Sequence, residues 1–180
     1  LNGKYRFAAE LSSHLGVLPS YTKLGMASLL PHKSLSYTDT GLVQVDGLSS
    51  DGLEARNKIL SSVNGLALRA EDFLTMNKTD GRELIKPYRV IYIYHNKIDA
   101  VGDTASTESS TFSACRDAIE ELESIVSRII NNLNGHRVVV TADHGFLFQD
   151  SALEALDKSK LVTKPSGAVV SKKRYLIGRN

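Results

Sequence analysis

Cysteine, long apolar runs and an excess of either charge are all scarce in this chain. The single cysteine, Cys115, excludes an intrachain disulfide and fits a reducing cytoplasm. It falls in a helical pattern, where the expected role is a small buried residue. No stretch approaches the ~20 consecutive apolar residues that span a bilayer, so no membrane helix is expected. The 22 Lys and Arg residues against 20 Asp and Glu leave a net charge of +2. That is too little to drive the whole surface onto nucleic acid or anionic lipid. Internal repeats and low-complexity tracts are absent as well. The chain opens Leu1-Asn2-Gly3-Lys4, with neither an initiator methionine nor a signal-peptide pattern, and is expected to be a fragment of a longer protein.

What is present is ordinary globular material. At 180 residues with 42% hydrophobic content, the chain suits a single domain, 1–180, with a sizeable core. Lys158, Lys160 and Lys164, then Lys172-Lys173-Arg174, form basic clusters near the end and read as a solvated face. No helix presents a long apolar stripe left over for a partner.

The element pattern alternates. Thr22 to Leu30 reads as a helix opening at a Ser/Thr-rich turn and closed by Pro31. Gly41 to Val45 reads as a short strand, and Ser50-Asp51 as a cap for a helix running to Ser62. Ala70 to Met76 and Gly81 to Ile85 are short helical segments. After Pro87 comes a strand at Arg89 to Tyr94. Thr107 to Leu133 is the clearest helix, with Ala118-Ile119, Leu122, Ile125-Val126 and Ile129-Ile130 at helical spacing and Gly135 as C-cap. A strand at Arg137 to Thr141 would then complete a strand–helix–strand crossover over Arg89 to Thr141. Val169 to Ile177 alternates loosely, as an edge strand does. Phe7 to Leu15 fits a strand or a short helix. The expected class is α/β, with a mostly parallel sheet sandwiched by helices.

Three segments carry chemistry. In Val138-Val139-Val140-Thr141-Ala142-Asp143-His144-Gly145-Phe146, a β-branched run reads as a buried strand delivering Asp143 and His144 to its C-terminal edge, where open α/β sheets bind ligands. Carboxylate beside imidazole offers oxygen and nitrogen donors to a Zn-like or Mn-like cation. His95-Asn96-Lys97-Ile98-Asp99-Ala100-Val101-Gly102-Asp103 also follows an apolar strand. His95 and Asp99 are further metal-type donors, while Asp103 suits either a ligand or a helix cap. In Pro19-Ser20-Tyr21-Thr22, hydroxyls stand at a helix start, where free amides stabilise an anion. The Ser20 and Thr22 hydroxyls there suit either a nucleophile or a helix cap. Lys23, next in sequence, reads as an exposed surface lysine. His32 reads as a solvated turn histidine, and His14 and His136 receive no role.

Asp143-His144-Gly145 after a hydrophobic strand resembles the late metal-binding motif of the alkaline phosphatase superfamily. The longer string Thr141 to Phe148 resembles the PglZ domain, a branch found in BREX phage-defence systems. Leu18 to His32 and Tyr92 to Asp99 resemble the same domain. The resemblance implies a metal-dependent phosphoryl-transfer hydrolase, a phosphatase or phosphodiesterase. Thr22, in a Pro-x-x-Thr turn, would form a phospho-enzyme, with Ser20 and Lys23 near the substrate. It further implies a two-ion site of zinc, or of manganese or magnesium, with Asp99, Asp143 and His144 among the ligands. Phosphoester substrates, nucleic acid among them, and other BREX proteins as partners follow by the same resemblance.

The chain also departs from that pattern. Asp99-Ala100-Val101-Gly102-Asp103 keeps the frame of an Asp-x-x-Gly-His motif but has Asp in place of His, leaving His95 or Asp103 to supply the donor. No strand-ending Asp precedes Thr22, and no His follows His144. An incomplete ligand set is therefore expected. The alternatives are an inactive scaffold module of a defence complex, a metal-dependent nuclease, and an ordinary receiver-like α/β domain.

Overall fold

A computed structural model describes residues 8–102, 110–146, 156, 166–172 and 175–178. The chain divides into two compact units: Leu1–Leu15 with Leu60–Thr141, and Gly16–Ile59 with Ala142–Asn180. In chain order the first elements are α1 (Thr22–Ser28), β1 (Leu35–Tyr37), β2 (Val43–Val45), β3 (Leu48–Ser49) and α2 (Leu53–Leu60). A 3₁₀ turn at Ser61–Val63 leads to β4 (Gly65–Arg69), α3 (Ala70–Thr75), α4 (Lys78–Ile85) and β5 (Val90–Tyr94). Then come α5 (Lys97–Gly102), α6 (Thr111–Leu133), β6 (Ala168–Ser171) and β7 (Leu176–Gly178).

In the unit containing Gly16–Ile59, β1, β2 and β3 form an antiparallel sheet in that order. The β2–β3 turn is Asp46-Gly47, with φ of +48° and +80°. Two consecutive positive φ values make the primed turn whose twist matches flanking strands, and Asp-Gly is its favoured sequence. The Asp46 carboxylate also accepts the amides of Lys33 and Ser34 and the Ser34 hydroxyl, tying the entry of β1 to the end of β2. Leu24 and Ala27 of α1 and Val43 and Val45 of β2 are buried. β6 and β7 form a separate antiparallel pair.

In the unit containing Leu60–Thr141, β4 pairs with β5 in parallel, Gly65 opposite Val90 through Arg69 opposite Tyr94. α3 and α4 make the crossover between them. Phe73 of α3 is 1% exposed and packs with Ala70, Ile125 and Leu133, with Leu68, Ile93 and Ile129 around them. α6 is amphipathic along its 23 residues and supplies one wall of this core. Its end is closed by Asn134 in the left-handed conformation, φ +59°, and by the Gly135 amide on the Ile129 carbonyl. The expectation placed Gly135 as the cap. Asn takes the left-handed position instead, as its short polar side chain permits.

The described residues therefore form a mixed α/β structure in which one of three small sheets is parallel. Several expectations need correction. Arg137–Thr141 is not a ladder strand, and Val139 and Val140 are 72% and 55% exposed. A β-branched run encodes fitness for a pleated, half-buried surface, and it becomes a strand only where a neighbour pairs with it. The crossover expected over Arg89–Thr141 consequently has no second strand; the parallel pair lies one step earlier, at β4 and β5. Cys115 lies on α6 but is half-buried rather than buried. Residues 8–15 carry no regular element, and the tail is a hairpin rather than one strand. The helix expected to reach Ser62 ends at Leu60. Lys158, Lys160, Lys164, Lys173 and Arg174 lie outside the described residues. Among the described residues, no helix is long and apolar enough to cross a membrane.

Candidate active site

The site grows from the start of α1. Tyr21 is extended, φ −157° and ψ 154°, and caps the helix without a side-chain bond. Its ring stacks on Tyr175 at 4.5 Å between centroids, and its hydroxyl meets that of Tyr37 at 3.3 Å. Burial first, and then the Tyr37 hydroxyl, pushes the Tyr21 phenol above its ordinary pKa, so it stays a neutral anchor. With residue 21 held, Thr22 is the first helical residue and its hydroxyl is not used as a cap. Thr22 Oγ1 instead lies 3.1 Å from His144 Nε2.

His144 is oriented by its other nitrogen. Nδ1 stands 2.9 Å from the Gly145 carbonyl oxygen. A carbonyl only accepts, so in the neutral ring Nδ1 carries the proton and the Nε2 lone pair faces Thr22. That is also the tautomer in which a histidine ligates through Nε2 while its N–H is held by a backbone carbonyl. Asp143 completes the group, its Oδ2 standing 3.5 Å from His144 Nε2. This Oδ2 is buried with no hydrogen-bond partner among the described residues. A buried carboxylate oxygen left unpaired is costly unless a cation or substrate group satisfies it.

The donor chemistry fits part of a metal site. Two ligands about 2.1 Å from a tetrahedral ion sit about 3.4 Å from each other. The observed 3.5 Å between Asp143 Oδ2 and His144 Nε2 matches that spacing. Among the described residues no third His, Cys, Asp or Glu joins them. Asp143 and His144 would thus hold two positions on one ion, with the Thr22 hydroxyl beside them.

The other expected residues are placed differently. Lys23 Nζ pairs with Asp51 at 2.9 Å on an exposed surface, and Ser20 is exposed. His32 Nδ1 lies 2.7 Å from the Leu30 carbonyl, a local turn contact. His95 and Asp99 belong to the other unit. His95 Nε2 is 2.8 Å from Glu121 Oε2 on α6, which leaves Nδ1 as the ring nitrogen able to ligate. Lys97 bonds to the same carboxylate and stands 3.7 Å from Asp117. Lys97 first, then His95, holds the Glu121 carboxyl below the usual range, and Glu121 raises Lys97 in return. Asp99 sits in the first turn of α5. Asp103 lies outside the described residues. An open concavity of about 380 Å³ is lined by Leu74, Lys97, Asp117, Glu120, Glu121 and Ser124. Three carboxylates against one lysine suit it poorly to phosphate.

Sequence reasoning missed Glu121 and the tyrosine anchor of Thr22. Glu121 stands 26 residues from His95 on the polar face of a long helix. No local signal distinguishes it from its solvated neighbours.

A mixed α/β chain in which hydroxyl, imidazole and carboxylate converge is consistent with the alkaline phosphatase-like class of domain. Within that class the chain belongs to the PglZ family: the family model for the BREX system PglZ alkaline phosphatase-like domain matches residues 1–180. The chain is 52% identical over 180 residues to the alkaline phosphatase-like protein BrxZ of Escherichia coli O9:H4 (strain HS), covering 99% of this chain and 21% of that protein. It is 38% identical over 162 residues to the alkaline phosphatase-like protein PglZ of Bacillus cereus (strain H3081.97), covering 89% of this chain and 19% of that protein. The chain thus spans about a fifth of the length of these curated relatives. No solved structure matches it.

Proposed function

We propose that this chain carries the nucleophile of a metal-dependent phosphoryl-transfer hydrolase, a phosphatase or phosphodiesterase, in a BREX defence system. The observation that carries the reading is the convergence of Thr22 Oγ1, His144 Nε2 and the unpaired Asp143 Oδ2. A divalent ion, zinc first and manganese or magnesium next, would lower the pKa of a bound hydroxyl and neutralise phosphate oxygens. Thr22 supplies the attacking oxygen. Asp143 and His144 supply oxygen and nitrogen donors, and the Gly145 carbonyl fixes the ring that presents the donor. His95 and Asp99 are proposed for further ligation, through Nδ1 in the case of His95, with Asp103 beside them in sequence. Lys23 is proposed to meet phosphate: its ion pair with Asp51 is exposed, and such pairs exchange readily. Ser20 is proposed to lie near the substrate. The other BREX proteins are the proposed partners, and nucleic acid is one form of phosphoester the site would take.

The test is hydrolysis of a chromogenic phosphomonoester and diester with Zn²⁺, Mn²⁺ and Mg²⁺, comparing the unmutated protein with Asp143→Ala and His144→Ala. Metal-dependent turnover lost in both variants supports the reading, and the preferred ester separates phosphatase from phosphodiesterase. If no metal raises turnover above the variants, the reading fails for these substrates. A scaffold module, which the two-donor site among the described residues favours, then takes its place.

A further inference from the structure

We propose that Gly25 is a positioning residue that sets the contact between Thr22 and His144. Thr22 and Gly25 stand three residues apart in α1, hence on neighbouring turns of one helix face. On that face the chain of Asp143 comes in at Gly25. A Cβ built on Gly25 would lie 2.3 Å from the Asp143 carbonyl oxygen, 2.8 Å from its carbonyl carbon and 3.0 Å from its Cβ. The first two obstacles are backbone, which cannot swing aside as the end of a side chain does. Gly25 is buried, so the approach is enclosed.

The geometry therefore couples two distances. Asp143 sits against residue 25, and its neighbour His144 reaches Oγ1 of residue 22 from the same direction. Any side chain at 25 must push the Asp143–His144 segment off the helix and lengthen the 3.1 Å contact. Propensity argues the opposite way. Alanine is a better helix former than glycine, so Gly25→Ala would favour α1 itself. A glycine inside a helix, where alanine is locally better, points to close approach rather than to helix formation.

Only the catalytic consequence of this inference rests on the proposed phosphoryl transfer; the positioning itself does not. The experiment is NMR of protein labelled at its five histidines, comparing the unmutated chain with Gly25→Ala, Thr22→Val and Gly16→Ala. A Cβ on Gly16 would meet nothing within 4 Å, so that position serves as the control. The expected result is that Gly25→Ala moves the His144 ring signals to their positions in Thr22→Val, while Gly16→Ala leaves them unchanged. Unchanged His144 signals in a folded Gly25→Ala would overturn the proposal. Should Gly25→Ala not fold, nuclear Overhauser contacts between Gly25 Hα and Asp143 Hβ in the unmutated chain decide: present, they support the close approach, and absent, they overturn it. Phosphoester turnover read on the same samples is expected to fall about a hundredfold in Gly25→Ala, as misplacement by about 1 Å does. Moved histidine signals in a protein that never turns over would uphold Gly25 and sink the hydrolase reading, so the two failures are distinct.

Discussion

Thr22 Oγ1 and His144 Nε2 lie 3.1 Å apart although 122 residues separate them in sequence. The contact is directional, because the Gly145 carbonyl on Nδ1 assigns the proton to that nitrogen. Nitrogen chemical shifts of labelled histidine are therefore expected to report the Nδ1–H tautomer for the neutral His144 ring. A ring protonated on Nε2 instead would mean that His144 donates to Thr22, leaving no lone pair there for a cation or for the Thr22 proton.

Among the described residues Phe73 is the largest fully buried side chain, and the Arg128 guanidinium lies 5.5 Å from its ring centroid. Arg128 also donates to the Leu74 carbonyl at 2.9 Å, so one side chain ties α6 to α3. Phe73→Ala is expected to cost about 3–5 kcal/mol, through lost transfer energy and the cavity left behind. Chemical denaturation measures this. A loss below about 1 kcal/mol would show that α3 and α6 collapse onto each other without the ring.

Asn64 ends the 3₁₀ turn in the left-handed conformation, φ +55°, and its side-chain amide donates to the Pro87 carbonyl at 2.8 Å. Its backbone carbonyl accepts the Arg89 amide at 2.8 Å, so this residue sets the entries of both β4 and β5. Asn64→Ala removes a hydrogen bond and strains φ, and is expected to cost about 2 kcal/mol. Asn64→Gly removes only the hydrogen bond and is expected to cost about half as much. Equal losses in thermal melts would contradict the backbone part of this account.

Much of the fold was legible where the pattern is local. The periodicity of α6 placed it to within four residues at its start and to the residue at its end, and Pro87 correctly announced β5. β4 escaped because Leu66-Ala67-Leu68-Arg69 is built of good helix formers; its extended state comes from pairing with β5. The hairpin at Asp46-Gly47 went unread, because its strands, three and two residues long, are too short to show alternation. Val138-Val139-Val140 misled for the converse reason, since strand propensity was strong but no ladder partner pairs with it among the described residues. In the candidate site, Thr22, Asp143 and His144 stood out by residue type and motif. Gly25 did not, because close approach of a distant segment leaves no mark on the local pattern.

Asp46 gives a pH signature. The Lys33 amide first, then the Ser34 amide, holds its carboxyl below the ordinary value. A carboxyl lowered in the folded state stabilises above its unfolded pKa near 4 and loses that contribution as pH falls through the folded value. Asp46→Asn keeps a residue tolerant of φ +48° but removes the charge. The stability advantage of the unmutated protein over Asp46→Asn is thus expected at about pH 6 and to shrink toward about pH 2. An advantage constant across that range in urea melts would assign the effect to something other than ionisation.

Thr22 as nucleophile is tested by phosphoester hydrolysis by Thr22→Ala beside the unmutated protein under the metal that supports turnover. If Thr22 is the nucleophile, the substitution lowers kcat at least about a thousandfold. Acid-quenched unmutated protein then carries a phosphoryl group on the tryptic peptide spanning residues 7–23. Thr22→Ala turning over at the unmutated rate, or a phosphoryl group found on Ser20 instead, would contradict the account.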